Sequence, residues 1–445
     1  MYDRKHLHPF AAWIVVALAL GVCAIGAARD VEIIESPEIA LLDQEGAGKL
    51  FQVGEHLVLV MEGTHEEMGY QHGRLLGKQA YNIIKKGYMP KALWDRGYSR
   101  EYVMTQSERM EKFFPPEMKE ELQGLVRGLH AAGYDDLTYE EVRLGVTQAE
   151  ILHFPPDGPP ACSNFAVWGK WTADGRLLHG RNLDWNISGD AQDDHVILVW
   201  RPKDGIPFMM VGWAGGIGSV SGMNARGITI GEMTLPSPDA TFDGLPLFLQ
   251  MRLVLEKTDN LNDAVSFFED CNRTTGWLFV IGDGKVPDGR ALETDAKYCA
   301  VFKPMDPKET EATGHWGMED AVRRTNHPIG IEQLLRLAKA FGHEYNISVE
   351  SSDDVTALVP LLHGQDSWQR YEWMSKEIER QPGAIDVREA IQILSTGPVY
   401  CDVTLHAFVF DPSNQVAYVA NAGNNPPVTA TDRPFTRIEL GPWFK

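Results

Sequence analysis

The chain has 445 residues, 44% of them hydrophobic, and is long enough to bury a large core as one big domain or two. Its formal net charge is -21, from 41 basic and 62 acidic side chains, which argues against nucleic acid as a partner. It contains neither Cys-x-x-Cys nor His-Glu-x-x-His, so no metal site and no cofactor are predicted.

The first thirty residues predict a targeting segment. Arg4 and Lys5 precede an apolar run over residues 10–28 that ends in alanines. A basic start, an apolar stretch and a small-residue exit are typical of a signal peptide, here residues 1–29. The run is also close to the length of a spanning helix, so an uncleaved membrane anchor is the alternative. Both interpretations predict an exported protein, periplasmic or secreted.

Residues 30–161 are predicted to form a helix-rich N-terminal segment. Ser99 and Thr138 are suitable helix N-caps. His65, Glu66 and His72 look like a ligand cluster, but a helix cap and a packed histidine account for them better. The predicted helices are Gly69–Lys86, Glu117–Ala132 and Tyr139–Leu152. A loop rich in proline and glycine follows at 154–160.

Strands dominate after residue 161, with helices between them. The predicted strands are Val196–Arg201, Phe208–Trp213, Ser219–Met223, Gly227–Met233, Trp277–Gly282, Ala291–Phe302, Thr404–Phe410 and Val416–Ala420. The predicted helices are Phe248–Lys257, Ile331–Phe341, Trp368–Glu379 and Val387–Leu394. Cys271 and Cys299 flank a predicted hairpin and can pair as a disulfide in an oxidising compartment.

A hairpin beginning at Cys162 is the most informative local feature. Strand-favouring residues 164–171 lead into an Asp-Gly turn, and residues 176–183 form the returning strand. Because the start of one strand faces the end of the other, Cys162 is expected near Arg181 and Asp184. Arg181 and Asp184 have odd spacing, so Asp184 reaches Cys162 only if the strand bends or ends there.

This arrangement suits nucleophilic catalysis. Arg181 favours the thiolate of Cys162. If the chain is cut before Cys162, the freed α-amino group is a general base, and Asp184 can orient it. The alternatives are a small buried cysteine beside a surface ion pair of Arg181 and Asp184.

Several short sequence motifs resemble those of a known protein family. Cys162-Ser163 and the Gly-Arg-Asn-x-Asp word at 180–184 resemble the nucleophile segment of cysteine-type N-terminal nucleophile (Ntn) hydrolases, and more narrowly of the isopenicillin N acyltransferase-like family. Choloylglycine hydrolases, penicillin V acylases, acid ceramidase and N-acylethanolamine acid amidase are relatives of that family. Further words in the same order lie at 63–73, 222–227, 325–327, 367–370 and 404–411, so the resemblance spans about Val53 to Gly423.

The resemblance implies an α+β fold, a four-layer αββα Ntn-hydrolase sandwich with a helix-rich N-terminal segment. Residues 30–161 are then a propeptide or small chain, and residues 162–445 form the catalytic segment. It also implies site residues. These are Cys162 as the nucleophile, Arg181 and Asp184 beside it, Asn326 as an oxyanion donor, Glu232 or Thr234 as a second oxyanion or substrate contact, and Arg370 as a further contact.

The function that follows is that of an exported amidohydrolase or acyltransferase, autoproteolytic before Cys162. It acts on the amide bond of a small-molecule N-acyl substrate through an acyl-enzyme. The alternatives are an acyltransferase with a thioester donor, a non-catalytic ligand-binding member of the fold, and a papain-like protease.

Overall fold

The computed structural model describes residues 30–153, 161–185, 190–313, 316–342, 348–362 and 365–445. The predicted targeting segment (1–29) and the loop at 154–160 lie outside these residues. Within the described ranges, no helix combines the length and the apolar character that a membrane crossing requires.

The strands form two large sheets and one short ribbon. The first ten in chain order are β1 (Ile33–Ile34), β2 (Ile39–Glu45), β3 (Gly48–Val53), β4 (His56–Gly63), β5 (Ala161–Val167), β6 (Leu178–Asp184), β7 (His195–Pro202), β8 (Phe208–Trp213), β9 (Ser221–Asn224) and β10 (Ile228–Thr234). The others are β11 (Trp277–Asp283), β12 (Asp288–Thr294), β13 (Cys299–Phe302), β14 (Ala321–Arg324), β15 (Thr404–Asp411), β16 (Val416–Asn421), β17 (Gly423–Asn424), β18 (Pro427–Val428) and β19 (Phe435–Glu439).

The larger sheet has ten strands in the order β13-β12-β11-β10-β9-β8-β7-β4-β3-β2. The smaller has seven in the order β1-β19-β16-β15-β6-β5-β14, and β17 pairs with β18. Neighbouring strands are antiparallel except β4 with β7 and β1 with β19. The two strands of the predicted cysteine hairpin, β5 and β6, therefore lie inside the smaller sheet.

The α-helices lie before, between and after these strands. They are α1 (His65–Leu75), α2 (Gly77–Tyr81), α3 (Arg100–Glu111), α4 (Pro116–Ala131), α5 (Tyr139–Ile151), α6 (Leu247–Lys257), α7 (Leu261–Asp270), α8 (Pro307–Thr313), α9 (Ile331–Phe341), α10 (Ser352–Leu362), α11 (Asp366–Glu379) and α12 (Val387–Leu394). Among the described residues there are also two π-helical turns (Asn82–Lys86 and Pro90–Trp94) and a 3-10 turn (Ala430–Asp432).

Three apolar clusters order these elements into layers. Between the sheets, residues such as Val58 and Ile197 of the larger sheet pack against Phe408 of the smaller one. The outer face of the smaller sheet packs on α11 and α12 through Phe165, Val409, Met374 and Ile391. On the outer face of the larger sheet, Leu59, Leu198 and Leu278 pack with Met68, Leu122 and Val254 of the helices. This order is αββα, so the predicted α+β sandwich is confirmed.

Helices α1 and α4 approach each other closely because they meet at glycines. A Cβ atom at Gly69 would lie 2.0 Å from the carbonyl oxygen of Glu121, and one at Gly124 would lie 2.1 Å from that of Glu66. No side chain fits at either position without moving the backbone of the other helix. The close packing of these two helices therefore explains the glycine in the sequence motif around position 69.

Local signals predicted the helix starts well. Thr138 closes a capping box with Glu141, and Ser99 accepts a hydrogen bond from the N–H of Tyr102, so both predicted N-caps are confirmed. The helix predicted over 69–86 instead begins four residues earlier, at His65 after the N-cap Thr64, and breaks at Leu76, where φ is -116° and ψ is 22°. The strand predicted over 291–302 divides into β12 and β13, because the Asp295 carboxylate accepts the N–H groups of Lys297 and Tyr298 in a turn.

Strands β2, β3 and β4 were not predicted. They place part of the N-terminal segment inside the larger sheet, where β4 runs parallel to β7. Residues 57–61 form an almost continuous apolar run, which sequence periodicity does not distinguish from a buried helical turn. The N-terminal segment is thus built into the same sandwich as Cys162.

Candidate active site

The hairpin of β5 and β6 brings Cys162 and Arg181 together. Cys162 pairs with Leu183 across the two strands, and Arg181 lies two residues from Leu183, on the same face of the sheet. The guanidinium Nη2 lies 3.5 Å from the cysteine Sγ, and both side chains are buried. The predicted proximity of thiol and guanidinium is therefore present in the structure.

Arg181 is held by the opposite sheet. Its Nη2 donates to Glu232 Oε1 at 3.1 Å, its Nε to the Glu232 carbonyl at 2.8 Å, and its Nη1 to Ser221 Oγ at 2.6 Å. The alternative of a surface ion pair with Asp184 is wrong, because Arg181 is fully buried and its acidic partner is Glu232. The contacts of this planar group orient one N–H toward the sulfur.

Asp184 occupies an irregular strand end. The pairing of β15 with β6 shifts between Thr404 and His406, next to Asp184. The Asp184 Oδ1 accepts a hydrogen bond from Thr404 Oγ1 at 2.6 Å, and its Oδ2 is buried without a partner among the described residues. Burial raises the pKa of Asp184 to about 7, while the charge of Arg370 acts to lower it.

The backbone N–H of Cys162 has a different acceptor from the one predicted. It donates to Asn326 Oδ1 at 2.7 Å, whereas the Asp184 carboxylate bonds Thr404. In this uncut chain the nitrogen is a peptide N–H with a single proton to donate, and Asn326 takes it. The expected contact between the Asp184 carboxylate and the Cys162 nitrogen is thus replaced by one from Asn326.

Asn326 and Arg370 close the other side of the cysteine. Asn326 Oδ1 also accepts from Arg370 Nη2 at 3.1 Å, and Asn326 Nδ2 donates to the Thr234 carbonyl at 3.1 Å. Arg370 Nη1 donates to the carbonyl of Cys162 and, at 3.1 Å, to Ser163 Oγ. Both predicted residues therefore lie at the site, where they hold the backbone of Cys162. The oxyanion role of Asn326 stays a prediction.

The thiol is protonated in this environment. Burial raises the pKa of Cys162 to about 12, and the carboxyl groups of Glu232 and Asp184 act in the same direction. Arg181 and the backbone N–H of Asp184 oppose this rise without cancelling it. The Cys162 side chain of the intact chain is therefore neutral near pH 7.

Glu232 and Thr234, between which the sequence left the second contact open, both border a cavity that also reaches Leu183, the cross-strand partner of Cys162. Of the two, only Glu232 contacts Arg181 through a side-chain atom, its Oε1. The other carboxyl oxygen of Glu232, Oε2, is buried and has no partner among the described residues. Burial raises the pKa of Glu232 to about 7, against the effect of Arg181. Glu232 is thus the stronger of the two candidates.

The cavity has a largely apolar wall. The wall combines aromatic and aliphatic side chains from helices and from both sheets with a few polar groups. Its lining residues are Ile83, Tyr88, Gln148, Ala149, Leu152, His153, Leu183, Trp185, Ala191, Trp213, Val220, Glu232, Thr234, Leu247, Phe248, Trp277 and Leu405. A wall of this character suits an apolar organic group.

Sequence reasoning missed a buried histidine pair behind Arg181. Arg181 Nη1 lies 3.2 Å from His406 Nε2, and His406 Nδ1 lies 3.2 Å from His195 Nε2. Because a guanidinium only donates, His406 Nε2 must accept, so its proton resides on Nδ1 and is donated to His195. Burial lowers the pKa of both rings, that of His195 to about 3. Both are neutral.

The sequence contained evidence that His406 faces the site. His406 belongs to the strand motif TLHAFVFD, in which alternate residues of a buried strand face one side. His195 continues the contact, since its ring stacks on Trp213 with centroids 4.9 Å apart. The guanidinium is thus connected, through two rings, to the wall of the cavity.

The other chemistry-bearing residues have structural contacts. His72 is a packed histidine, as interpreted from the sequence, and its Nε2 accepts the N–H of Gly215 at 2.9 Å. Cys271 and Cys299 are free thiols. In the part of the chain that the structure describes, no group of three or more His, Cys, Asp or Glu side chains is placed to hold a metal ion.

The chain is similar in sequence to a known protein family. The model of the family described as acyl-coenzyme A:6-aminopenicillanic acid acyl-transferase matches residues 171–426, more than half of the chain. The match includes Arg181, Asp184, Glu232 and Asn326, and begins after Cys162.

Two curated proteins are similar over long stretches. An uncharacterized protein of Archaeoglobus fulgidus is 28% identical over 403 residues, which are 85% of this chain and 63% of that protein. Protein dcd1B of Dictyostelium discoideum is 24% identical over 292 residues, 58% of this chain and 55% of that protein. The chain thus spans less than two thirds of the length of either relative.

Solved structures with similarity include the Caenorhabditis elegans ortholog of N-acylethanolamine-hydrolyzing acid amidase, with a TM-score of 0.39 and 13% identity over 57% of this chain and 93% of that one. A variant of the conjugated bile acid hydrolase from Clostridium perfringens has a TM-score of 0.39 and 12% identity over 63% of this chain and 93% of that one.

Proposed function

The chain belongs to the acyl-coenzyme A:6-aminopenicillanic acid acyl-transferase family, a family of Ntn hydrolases, and on this premise we propose that it is a cysteine amidohydrolase or acyltransferase. Its substrate is a small N-acyl compound with an apolar acyl group. The observation that carries the proposal is the 3.5 Å contact of Arg181 with the Cys162 sulfur. Glu232, which also binds Arg181, borders a largely apolar cavity.

The proposed reaction has two steps. The Cys162 sulfur attacks the amide carbonyl, a C–S bond forms, the C–N bond breaks, and the amine leaves with the proton from the thiol. Water or another amine then attacks the thioester and restores the thiol. Once free, the α-amino group of Cys162 carries the proton between these partners, and Arg181 stabilises the negative sulfur.

The amine is free only if the chain is cut, and we propose that Cys162 performs this cut itself. Its sulfur attacks the carbonyl of Ala161, the C–N bond breaks, and the thiol proton moves to the released nitrogen. Water then hydrolyses the thioester. Asn326 and Arg370, which bind the N–H and the carbonyl of Cys162, hold the peptide in place during the cut.

The activity is tested with a panel of N-acyl amides that share a chromogenic amine and differ in acyl length. We expect turnover by the full-length protein, none by Cys162→Ala, and normal turnover by Cys401→Ala, which removes another buried thiol. A Cys162→Ala protein as active as the unchanged one would refute the proposal.

Intact-mass analysis tests the cut. We expect a chain that starts at Cys162, together with an associated N-terminal chain, and a single uncut chain from Cys162→Ala. An active protein in which Ala161 is still bonded to the nitrogen of Cys162 would refute self-cleavage. The proposed amidase activity would then be judged by the turnover assay alone.

We also propose export, on the basis of residues 1–29. Fractionation of cells that express the full chain, with carbonate extraction of the membranes, distinguishes the alternatives. A released protein with a shortened N-terminus supports a signal peptide, and an extraction-resistant protein supports an anchor. A full-length cytosolic protein contradicts both.

A further inference from the structure

Ser367, in the first turn of α11, contacts three consecutive residues of the segment that carries Asn326. Its Oγ accepts the backbone N–H of Asn326 at 2.8 Å, donates to Thr325 Oγ1 at 2.9 Å and lies 2.8 Å from His327 Nδ1. The Thr325 hydroxyl in turn donates to the Ser367 carbonyl at 2.8 Å. One serine thus ties the segment 325–327 to the start of α11.

The hydrogen bonds of this hydroxyl use its single proton and both of its lone pairs. Thr325 gives its own proton to the Ser367 carbonyl, so Thr325 Oγ1 accepts the proton of the Ser367 hydroxyl. The two lone pairs of Ser367 Oγ then accept the Asn326 N–H and the His327 Nδ1–H. The His327 ring stacks on Trp368, with centroids 4.1 Å apart, which holds the ring beside this oxygen. The N–H of Asn326 therefore has a fixed acceptor outside the sheet.

The register of the smaller sheet shows what this contact changes. Strand β14 pairs antiparallel with β5, and its last pair joins Arg324 to Asn164. Two residues onward in β14 and two residues back in β5, the same register would set Asn326 opposite Cys162. Strand β14 ends at Arg324 instead, and the backbone N–H of Asn326 is donated to Ser367. The contact with Ser367 thus turns the backbone out of the ladder beside Cys162.

Side chains bind the backbone of Cys162 where this ladder stops. The N–H of Cys162 is donated to Asn326 Oδ1 at 2.7 Å, and the Cys162 carbonyl accepts from Arg370 Nη1. Arg370 lies one turn beyond Ser367 on α11, and its Nη2 donates to the same Asn326 Oδ1 at 3.1 Å. Helix α11 therefore holds Asn326 twice, by its backbone through Ser367 and by its side chain through Arg370.

We propose that Ser367 is a positioning residue, which holds the Asn326 backbone out of the sheet so that the Asn326 side chain lies on the nitrogen of Cys162. The inference rests on the proposed function, because this nitrogen belongs to the proposed nucleophile. Without the Ser367 hydroxyl, the N–H of Asn326 loses its acceptor and regains one by pairing with β5 in the existing register. In a regular strand the Asn326 side chain points to one face of the sheet, away from the Cys162 nitrogen.

Hydrogen exchange tests this position in full-length Cys162→Ala, which cannot cut itself. The backbone amide of residue 162 remains in that protein, and its acceptor is Asn326 Oδ1. We expect Ser367→Ala in this background to speed the exchange of that amide by about 10-fold, because its acceptor is displaced. Mass spectrometry with fragmentation to single residues measures the rate.

Two variants in the same background are the controls. Ser375→Ala removes another hydroxyl of α11, which accepts from Arg323 Nε on β14 at 2.7 Å. Ser367→Thr keeps the hydroxyl. Both should leave the exchange of residue 162 within about twofold of the Cys162→Ala protein. Faster exchange spread evenly over α11 and β14 in Ser367→Ala would show a general loosening of the fold and would overturn the inference.

Kinetics test the consequence for the reaction, in the protein that keeps Cys162. Ser367→Ala should lose about 10-fold in kcat toward an N-acyl amide with KM nearly unchanged, because Ser367 is not among the residues that line the cavity. Ser367→Thr should recover kcat to within about threefold of the unchanged protein. Ser375→Ala should match the unchanged protein in kcat even where its melting temperature is lower.

The two measurements separate failure of this inference from failure of the proposed function. If no form of the protein turns over an N-acyl amide, the proposed function fails, and the exchange of residue 162 still reports where Asn326 lies. If turnover is present and Ser367→Ala keeps its full kcat, the inference is wrong and the proposed function stands. Unchanged exchange of residue 162 in Ser367→Ala refutes the inference in either case.

Discussion

Arg181 lies 3.5 Å from the sulfur of Cys162 through the same Nη2 that binds Glu232 at 3.1 Å. One nitrogen therefore faces both a latent thiolate and a buried carboxyl group. Because the positive charge is shared, ionisation of Glu232 competes with ionisation of the thiol for the same donor. The proposed reaction therefore requires the geometry of the whole guanidinium group, with all of its contacts in place.

The first prediction concerns that fork. Arg181→Lys keeps the charge, but an ammonium cannot reach Glu232, Ser221 and the sulfur together, so kcat/KM should fall by about 100-fold or more. Steady-state kinetics with the N-acyl panel measures the loss. Arg127→Lys, an exposed arginine paired with Glu66, should stay within about twofold of the unchanged protein. Full turnover by Arg181→Lys would remove Arg181 from the mechanism.

The second prediction assigns His406 as a positioning residue. His406→Leu removes the acceptor at 3.2 Å from Arg181 Nη1 and leaves the contacts of Nη2 in place. We expect kcat to fall by about 10-fold with KM nearly unchanged, because the guanidinium loses its orientation and the cavity keeps its shape. His130→Leu, distant from the cavity, is the matched control. A change in KM alone would assign His406 to the cavity wall.

The third prediction uses Thr404 to move the pKa of Asp184. Its hydroxyl donates to the carboxylate at 2.6 Å and lowers a pKa that burial has raised to about 7. Thr404→Val keeps the shape and removes this donor, so the pKa of Asp184 rises further and the acidic limb of kcat/KM moves to higher pH. Thr436→Val, a buried threonine on β19, should leave the profile in place. An unmoved limb would show that Asp184 ionisation does not control turnover.

The fourth prediction concerns stability against pH. Burial raises the pKa of Glu150 from 4.5 to about 8. The folded state then binds more protons than the unfolded state between pH 4.5 and 8, so the stabilisation present below pH 4.5 is lost as pH rises through 8.

Glu150→Gln keeps the acceptor for the N–H of Leu247 at 2.6 Å and the hydroxyl of Thr274 at 3.0 Å, and it does not ionise. Denaturant unfolding should therefore show a smaller loss of stability from pH 5 to 8 than in the unchanged protein. Glu101→Gln, at an exposed position of α3, should follow the unchanged protein. Parallel curves for Glu150→Gln and the unchanged protein would contradict the raised pKa.

Short-range patterns in the sequence determined the cysteine hairpin and several helix starts. The strand-favouring residues after Cys162, the Asp-Gly turn and the returning strand predicted the proximity of Cys162 and Arg181, because adjacent antiparallel strands bring the start of one to the end of the other. The capping residue Thr138 is local in the same sense, since it bonds an N–H three residues away. Several short motifs far apart in the chain, which occur in the same order as in the family, also identified that family from the sequence.

Only the tertiary structure decided which groups complete the site. Glu232 reaches Arg181 because β10 belongs to the opposite sheet, and Asn326 reaches Cys162 from a position 164 residues away in the chain. Asp184 turns to Thr404 because the pairing of β6 with β15 is irregular there. Such contacts depend on sheet order, stacking of the two sheets and local irregularity. Hydrophobic periodicity specifies which face of a strand is buried and leaves the opposing residue undetermined.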